Sequence, residues 1–392
     1  MSVSQGYEKV PTNGLVFMYD VADSTSYKGE PTTNYQIDWS PWTVGGINTD
    51  VTGTSDQGPV KNAKTWKFEK TGGSNQWNGW ESTYGGIWTG NSGDIWTTSY
   101  WYKTSAPAGA TAFGIGNFYL SDWSRPYNVS ILANSNGIIA DGQWHYNYTT
   151  TQLNENYSNA IIVDGPSWGY SPQTGTLYIN GLQWEKKSHP TPFAGFTRSA
   201  NEGLLAIAGN LTIDLSNVSF NANAQMLWDG TDDTLAISDT TSHKPGQPYS
   251  YEIVFKPLGG GTSYDKMLIG KPGWHTGIMY QYSYIWFRTR YGSPAFYDTG
   301  TVSVTQGNYY HVVATYTPGT TMKLYVNGAL VSENNSVPSA LVDIGNTLNI
   351  GGSSVNYSCY VEIPAAKIYS RELTQAEVQQ SYNKYKTRFN LS

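Results

Sequence analysis

The chain has 392 residues, of which 13 % are charged and 15 % aromatic, with 42 Gly, 15 Trp, 31 Tyr and a net charge of −6. Charge at about half the usual fraction of roughly 25 %, with glycine and aromatics in excess, argues against helix bundles and disorder and predicts many short strands joined by turns. No basic stripe marks a nucleic-acid partner, no apolar run reaches the roughly 18 residues of a membrane span, and one cysteine, Cys359, excludes a disulfide framework or a cysteine-based metal cluster. The N-terminal stretch lacks the charged-then-apolar pattern of a secretory signal, so folding in a cytoplasm is expected. At roughly 100–200 residues per domain, this length predicts two domains.

Twelve of the tryptophans fall between Trp39 and Trp184, a shift that separates an aromatic-rich first unit from the rest. Within it, 65–70, 95–103, 112–120, 144–151, 160–163 and 176–185 read as strands, rich in aromatic and β-branched residues and bounded by Gly, Asn and Pro. Segment 95–103 carries aromatics on both alternating faces, so one face packs inward and the other is partly exposed. Asn180-Gly181 is a hairpin signal. The stretch Ser188–Arg198, with Pro190 and Pro192, reads as an extended linker between the units.

Downstream, 251–256, 266–270, 284–289, 309–316, 322–326, 347–351 and 365–369 read as strands, with Asn327-Gly328 as a second hairpin signal. Thr374-x-x-Glu377 is a capping box that starts one helix over 375–388, with Val378, Tyr382, Tyr385 and Phe389 as its apolar stripe.

Residues 310–316, 323–331 and 348–352 together resemble the concanavalin A-like, laminin-G-like jelly roll. Ala366–Thr374 with the following helix is similar to the closing element of such domains in bacteriophage virion proteins. Met226–Asp233 resembles their early strand and turn, and Gly14–Asp23 their first strand. The resemblance implies one domain made of residues 10–30 plus 199–392, with 31–198 inserted. That insert resembles galactose-binding-like carbohydrate-binding modules, through Thr33-Asn34, Trp39, Trp42, Gly142–His145, Leu182–Glu185 and Thr191–Ser199. The expected fold is all-β: two jelly-roll β-sandwiches with one C-terminal α-helix.

Glycoside hydrolysis needs two flanking carboxylates, and the E-x-D-x-x-E strand of glucanases is missing; Glu252, Glu333 and Glu362 stand alone, so no catalytic residue is assigned. Asp229, Asp232 and Asp233 are the candidate metal ligands, with calcium the one candidate cofactor, although Asp and Gly in this spacing also serve a turn. The five histidines have no metal-pair spacing, and Gly259–Gly261 lacks the Lys-Ser/Thr of a phosphate loop. Sugar rings stack on exposed aromatics, so Trp77, Trp80, Trp88 and Trp123, in Gly/Asn/Ser-rich segments, are the candidate glycan contacts. Trp66, Trp101, Trp144 and Trp184, within strands, are expected in the core.

These readings converge on a non-enzymatic bacteriophage virion structural protein, a capsid decoration, fibre or tail adhesion component on the particle surface. Its expected partners are other virion subunits, copies of itself in a homo-oligomer, and cell-surface polysaccharide, with no nucleic acid and no membrane insertion. A stand-alone lectin-like protein is the alternative, and a polysaccharide depolymerase a more distant one.

Overall fold

The computed structural model describes residues 10–35, 40–44, 46–54, 57–70, 77–81, 88–104, 117–120, 129–134, 139–164, 175–208, 211–238, 246–259, 265–271, 276–290, 296–339, 347–352 and 358–391. It is almost entirely β, with a single α-helix among the described residues, Gln375–Phe389 (α1). The chain divides into two compact units: the first comprises Met1–Pro31, Ala200–Asn221 and Gln225–Ser392, the second Thr32–Ser199 with Ala222–Ala224.

The first unit is built from two antiparallel sheets. In one, Tyr360–Tyr369 and Tyr249–Pro257 are central neighbours, flanked by Tyr310–Thr317, Thr321–Val326 and Ala329–Asn334. Leu15–Asp20 and Met226–Asp229 share the other edge of Tyr360–Tyr369, the former over residues 365–369 and the latter over 360–361. The second sheet runs from Leu235–Ser238 through Thr347–Ile350, Lys266–Lys271, Thr276–Gln281 and Tyr284–Arg290 to Phe296–Asp298. Period-2 alternation places Tyr249, Tyr251, Ile253 and Phe255 in the core with Val312, Ala314 and Tyr316 beside them. From the other sheet, Phe287 meets Tyr249 edge-on at 6.1 Å and Tyr280 meets Phe255 at 6.3 Å. Trp228 is fully buried and its indole donates to the Ile350 carbonyl at 3.2 Å. A Cβ on Gly351, whose φ is +83°, would lie 1.9 Å from that indole, so the close approach requires glycine.

Asn327 and Gly328 both take positive φ, 49° and 80°, and close the hairpin between Thr321–Val326 and Ala329–Asn334. Asn180-Gly181 differs. Gly175–Glu185 is one continuous strand whose register shifts between Asn180 and Gln183, so the dipeptide makes a bulge, with Gly181 at φ 63°. The Asn180 amide is committed to its own sheet edge: Oδ1 accepts from Val60 N at 2.8 Å and Nδ2 donates to Thr65 Oγ1 at 3.0 Å.

Helix α1 starts at Thr374, where the Thr374 hydroxyl caps Glu377 N and the Glu377 carboxylate accepts from Thr374 N at 2.9 Å. Arg371, the main cause, and the capping bonds hold the Glu377 carboxyl down at about 2. The helix buries Val378, Ser381, Tyr382 and Tyr385. Beneath it, Glu252 is fully buried with Lys367 Nζ at 2.5 Å and His311 Nε2 at 3.1 Å, while Ser381 bridges from the helix, accepting from Lys367 at 2.6 Å and donating to Glu252. Desolvation by burial pushes the Glu252 carboxyl up, but the Lys367 charge and the His311 contact outweigh it and hold it well below the usual carboxylate range.

The second unit has a six-stranded sheet in the order Val129–Asn134, Trp144–Leu153, Ile95–Thr104, Gly175–Glu185, Thr65–Lys70, Gly46–Asp50. A further sheet contains Ser40–Val44, Trp77–Glu81, Tyr157–Asp164 and Trp88–Gly90, with Asn117–Leu120 on Tyr157–Asp164. The two chain ends of the unit pair antiparallel, Thr32 with Arg198 and Thr33 with Thr197. The stretch 188–198 is packed rather than an open linker. Thr191 N and Oγ1 donate to the buried Glu185 carboxylate at 2.8 and 2.7 Å, Thr32 Oγ1 adds a bond at 2.6 Å, and Arg198 bonds the Pro192 carbonyl at 3.1 Å. Pro190 and Pro192 set extended geometry there, and long-range partners fix it.

Two outcomes test this architecture. Removing residues 32–199 and joining Pro31 to Ala200 through a short Gly-Ser linker leaves a folded first unit, because the paired ends lie roughly 5 Å apart across a ladder. Circular dichroism with a cooperative melt is the expected result, and an unfolded or aggregated product contradicts it. Glu252→Gln strands the buried Lys367 charge and costs about 3–5 kcal/mol in urea unfolding; a loss below about 1 kcal/mol contradicts the network.

Candidate functional site

The six-stranded sheet of the second unit presents two different faces. Alternation along Ile95–Thr104 and Gly175–Glu185 buries Trp96, Tyr100, Tyr102, Leu177, Ile179 and Trp184 on one of them, with Trp96 and Trp184 stacked at 4.2 Å and Tyr35 edge-on to both. On that side Asn34 is a clamp, accepting from Trp184 N at 3.0 Å and donating to the Ala194 carbonyl at 3.0 Å.

The opposite face carries rows fixed by strand register. Trp144, Lys103 and Tyr178 form one row across three strands; Tyr146, Trp101 and Asn180 form the next; Tyr148, Ser99 and Gln183 the third; Thr150, Thr97 and Glu185 the fourth. Burial rises along this series. Trp144, Lys103, Tyr178, Trp101 and Tyr148 are half-buried and Tyr146 is 40 % exposed, whereas Thr97, Thr150, Gln183 and Glu185 are buried. The rings of Trp101 and Tyr146 lie 5.4 Å apart and those of Tyr146 and Tyr148 6.5 Å apart. Trp144 and Tyr178 meet edge-on at 6.3 Å. Desolvation pushes the Tyr146 hydroxyl up to about 12, so its polar end is sunk beside Ser99 while part of its ring stays open. Ser99, Trp101, Tyr146, Tyr148, Pro192 and Phe193 line a shallow groove on this face.

A row of half-open aromatic rings is chemically suited to stacking against the apolar face of a ligand ring. The buried Glu185, with its carboxylate filled by Thr191, Thr32 and Gln183, is held as a structural group. Glu362 is likewise engaged by Lys256 at 2.8 Å and by Tyr309.

Of the strand tryptophans expected in the core, Trp184 is there, but Trp66, Trp101 and Trp144 are half-buried. Trp101 and Trp144 stand on the partly open face because residue parity, not strand membership, decides which side a side chain takes. The alternation of aromatics along 95–103 was the available signal for this face. Trp77 and Trp80 fall on strand Trp77–Glu81 and Trp88 on Trp88–Gly90, but their side chains, and Trp123 altogether, lie outside the described residues.

Asp229, Asp232 and Asp233 come together, with carboxylate oxygens within 4.8 Å of one another. Asp233 accepts from Ser219 N at 2.9 Å and Ser219 Oγ at 3.0 Å through one oxygen and from Asp229 N through the other, and Asp229 accepts from Thr231 N at 2.8 Å. Burial, with Asp229 close by, pushes the Asp233 carboxyl up to about 6. These bonds fasten the turn after Met226–Asp229.

Residues 229–379, within the first unit, match the family described as the concanavalin A-like lectin/glucanases superfamily, in its laminin-G form. The first unit is therefore a concanavalin A-like, laminin-G-like jelly roll. Among solved structures, the receptor-binding domain of botulinum neurotoxin D is similar at 14 % identity over 47 % of this chain and 51 % of that one, with a TM-score of 0.39. The botulinum neurotoxin serotype G binding domain is similar at 14 % identity over 46 % and 48 %, with a TM-score of 0.40. The chain thus spans about half the length of these structures, and similarity at this level carries no functional implication. No curated protein sequence matches the chain.

Asp233→Ala leaves the Ser219 and Asp229 amides without acceptors and costs about 1–3 kcal/mol. The wild-type melting temperature is expected to be the same in millimolar calcium and in chelator; a rise with calcium assigns the cluster to a metal instead.

Proposed function

We propose that this protein is a carbohydrate-binding protein of a bacteriophage particle surface, with sugar rings stacking on the Trp101–Tyr146–Tyr148 face of the second unit. The observation that carries the binding half is that face itself: rings held in fixed register on a sheet, with Tyr146 40 % exposed. Apolar C–H faces of pyranose rings suit such a platform, and rigid strands present it at little entropic cost. The lectin-type fold of the first unit agrees with this reading but does not by itself specify a ligand.

The virion half rests on the likeness of Ala366–Thr374 and α1 to the closing element of phage virion domains. Low charge and abundant aromatics suit a chain that buries surface against neighbouring subunits, itself included. Many copies on one particle would raise weak sugar contacts to useful avidity. The free lectin-like alternative shares the binding face and differs only in location.

Glycan-array binding by the full chain is expected, with Trp101→Ala and Tyr146→Ala each weakening it roughly tenfold, about 1.4 kcal/mol, without lowering the melting temperature by more than a few degrees. Binding unaffected by both substitutions contradicts the assignment of the face. Proteomic analysis and electron cryomicroscopy of purified particles should find the chain on capsid or tail; its absence from intact particles favours the free lectin.

A further inference from the structure

We infer that this face selects its glycan by linkage, taking chains whose successive sugar rings turn in preference to flat ribbons; the inference rests on the carbohydrate reading above. The planes of the aromatic rings carry it. Trp101 and Tyr146, paired in register on neighbouring strands, are 5.4 Å apart and tilted by 54°. Tyr146 and Tyr148, two residues apart on one strand, are 6.5 Å apart and tilted by 34°. Neither pair is coplanar, so a flat ligand lying on Tyr146 leaves the plane of each neighbour. Sheet twist is the physical source of such a turn, because it rotates successive side chains of one face. The tilt is also held in place. The Tyr146 hydroxyl is sunk beside the buried Ser99, and a ring pinned at that end and packed against two others keeps its plane.

Linkage stereochemistry decides which chains can follow that path. Equatorial links at opposite ends of each pyranose, as in cello-oligosaccharides, repeat the ring planes in parallel and make a ribbon. An axial link, as in malto-oligosaccharides, or one off the long axis of the ring, as in laminari-oligosaccharides, turns each ring from the last. A ribbon therefore stacks on one aromatic ring of this face at a time. A turned chain lays one sugar on Tyr146 and the next on Trp101 or Tyr148, and the ring spacings are comparable to the length of one sugar unit. The second stacking contact is the difference in affinity that makes the face selective.

The test uses the full chain and glucose hexamers that differ only in linkage: maltohexaose and laminarihexaose against cellohexaose, by isothermal titration. Where the glycan array shows another sugar to be bound, ribbon and turned members built from that sugar make the same comparison. A turned chain should bind about tenfold more tightly than the ribbon of the same sugar. It should also gain affinity from one unit to three, while the ribbon stays at the level of the single sugar. Trp101→Ala should lower the turned chain toward its ribbon and leave ribbon binding unchanged. Ribbons bound as tightly as turned chains of the same sugar, or array hits confined to ribbons, overturn the inference and leave the carbohydrate reading standing. So does an equal loss of both in Trp101→Ala, since the ring then serves every glycan alike. Binding of no hexamer and no array member overturns both.

Discussion

The antiparallel pairing of Leu15–Asp20 with Tyr360–Tyr369 is the constraint on which the organisation of the chain depends. Among the described residues it joins the first strand to the last, so the first unit closes only when both have been made. In sequence, everything from Thr32 to Ser199 falls between the two strands of this ladder. Polar contacts reinforce the same closure: Asp20 meets Arg388 of α1 at 2.6 Å, and Arg371 donates to the Asn13 carbonyl at 2.7 Å. A sheet edge satisfied in this way is also withdrawn from pairing with other chains.

The second unit solves the same problem by another means. Its ends are fastened by the Thr32–Arg198 and Thr33–Thr197 pairing and by Glu185, which gathers Thr32, Gln183 and Thr191 around one buried carboxylate. This polar knot lies at the closed end of the sheet face whose other end carries Trp101, Tyr146 and Trp144. One end of the face therefore spends its hydrogen bonds on holding the unit together, and the other leaves aromatic area partly open. The division follows from register alone, since each step of two residues along a strand keeps the side chain on the same face.

Much of this was legible in the sequence. The capping box at Thr374, the hairpin at Asn327-Gly328 and the alternation of 310–316 depend on local chemistry, and each takes the expected form. The features read differently are those in which one local signal serves two structures. Asn180-Gly181 supplies the positive φ that a hairpin needs, and a bulge needs it too; only the Val60 and Thr65 partners of Asn180, more than a hundred residues away, decide between them. Pro190 and Pro192 mark extended chain, which fits a linker or a packed strap, and Glu185 makes it the strap. For the site, loop composition pointed to Trp77, Trp80, Trp88 and Trp123, whereas the described platform stands on strands. Parity separates Trp101 from its buried neighbours Tyr100 and Tyr102, but sequence does not say which parity faces the core.

The central claim is that the strand-borne aromatic face of the second unit is where sugar binds. A crystal structure of the full chain with a bound oligosaccharide tests it most directly. The account predicts a sugar ring stacked on Tyr146 or Trp101, with its neighbour directed toward Trp144 and Lys103. Sugar bound on the first unit, or on the sheet containing Trp77–Glu81 with the Tyr146 face empty, would contradict it.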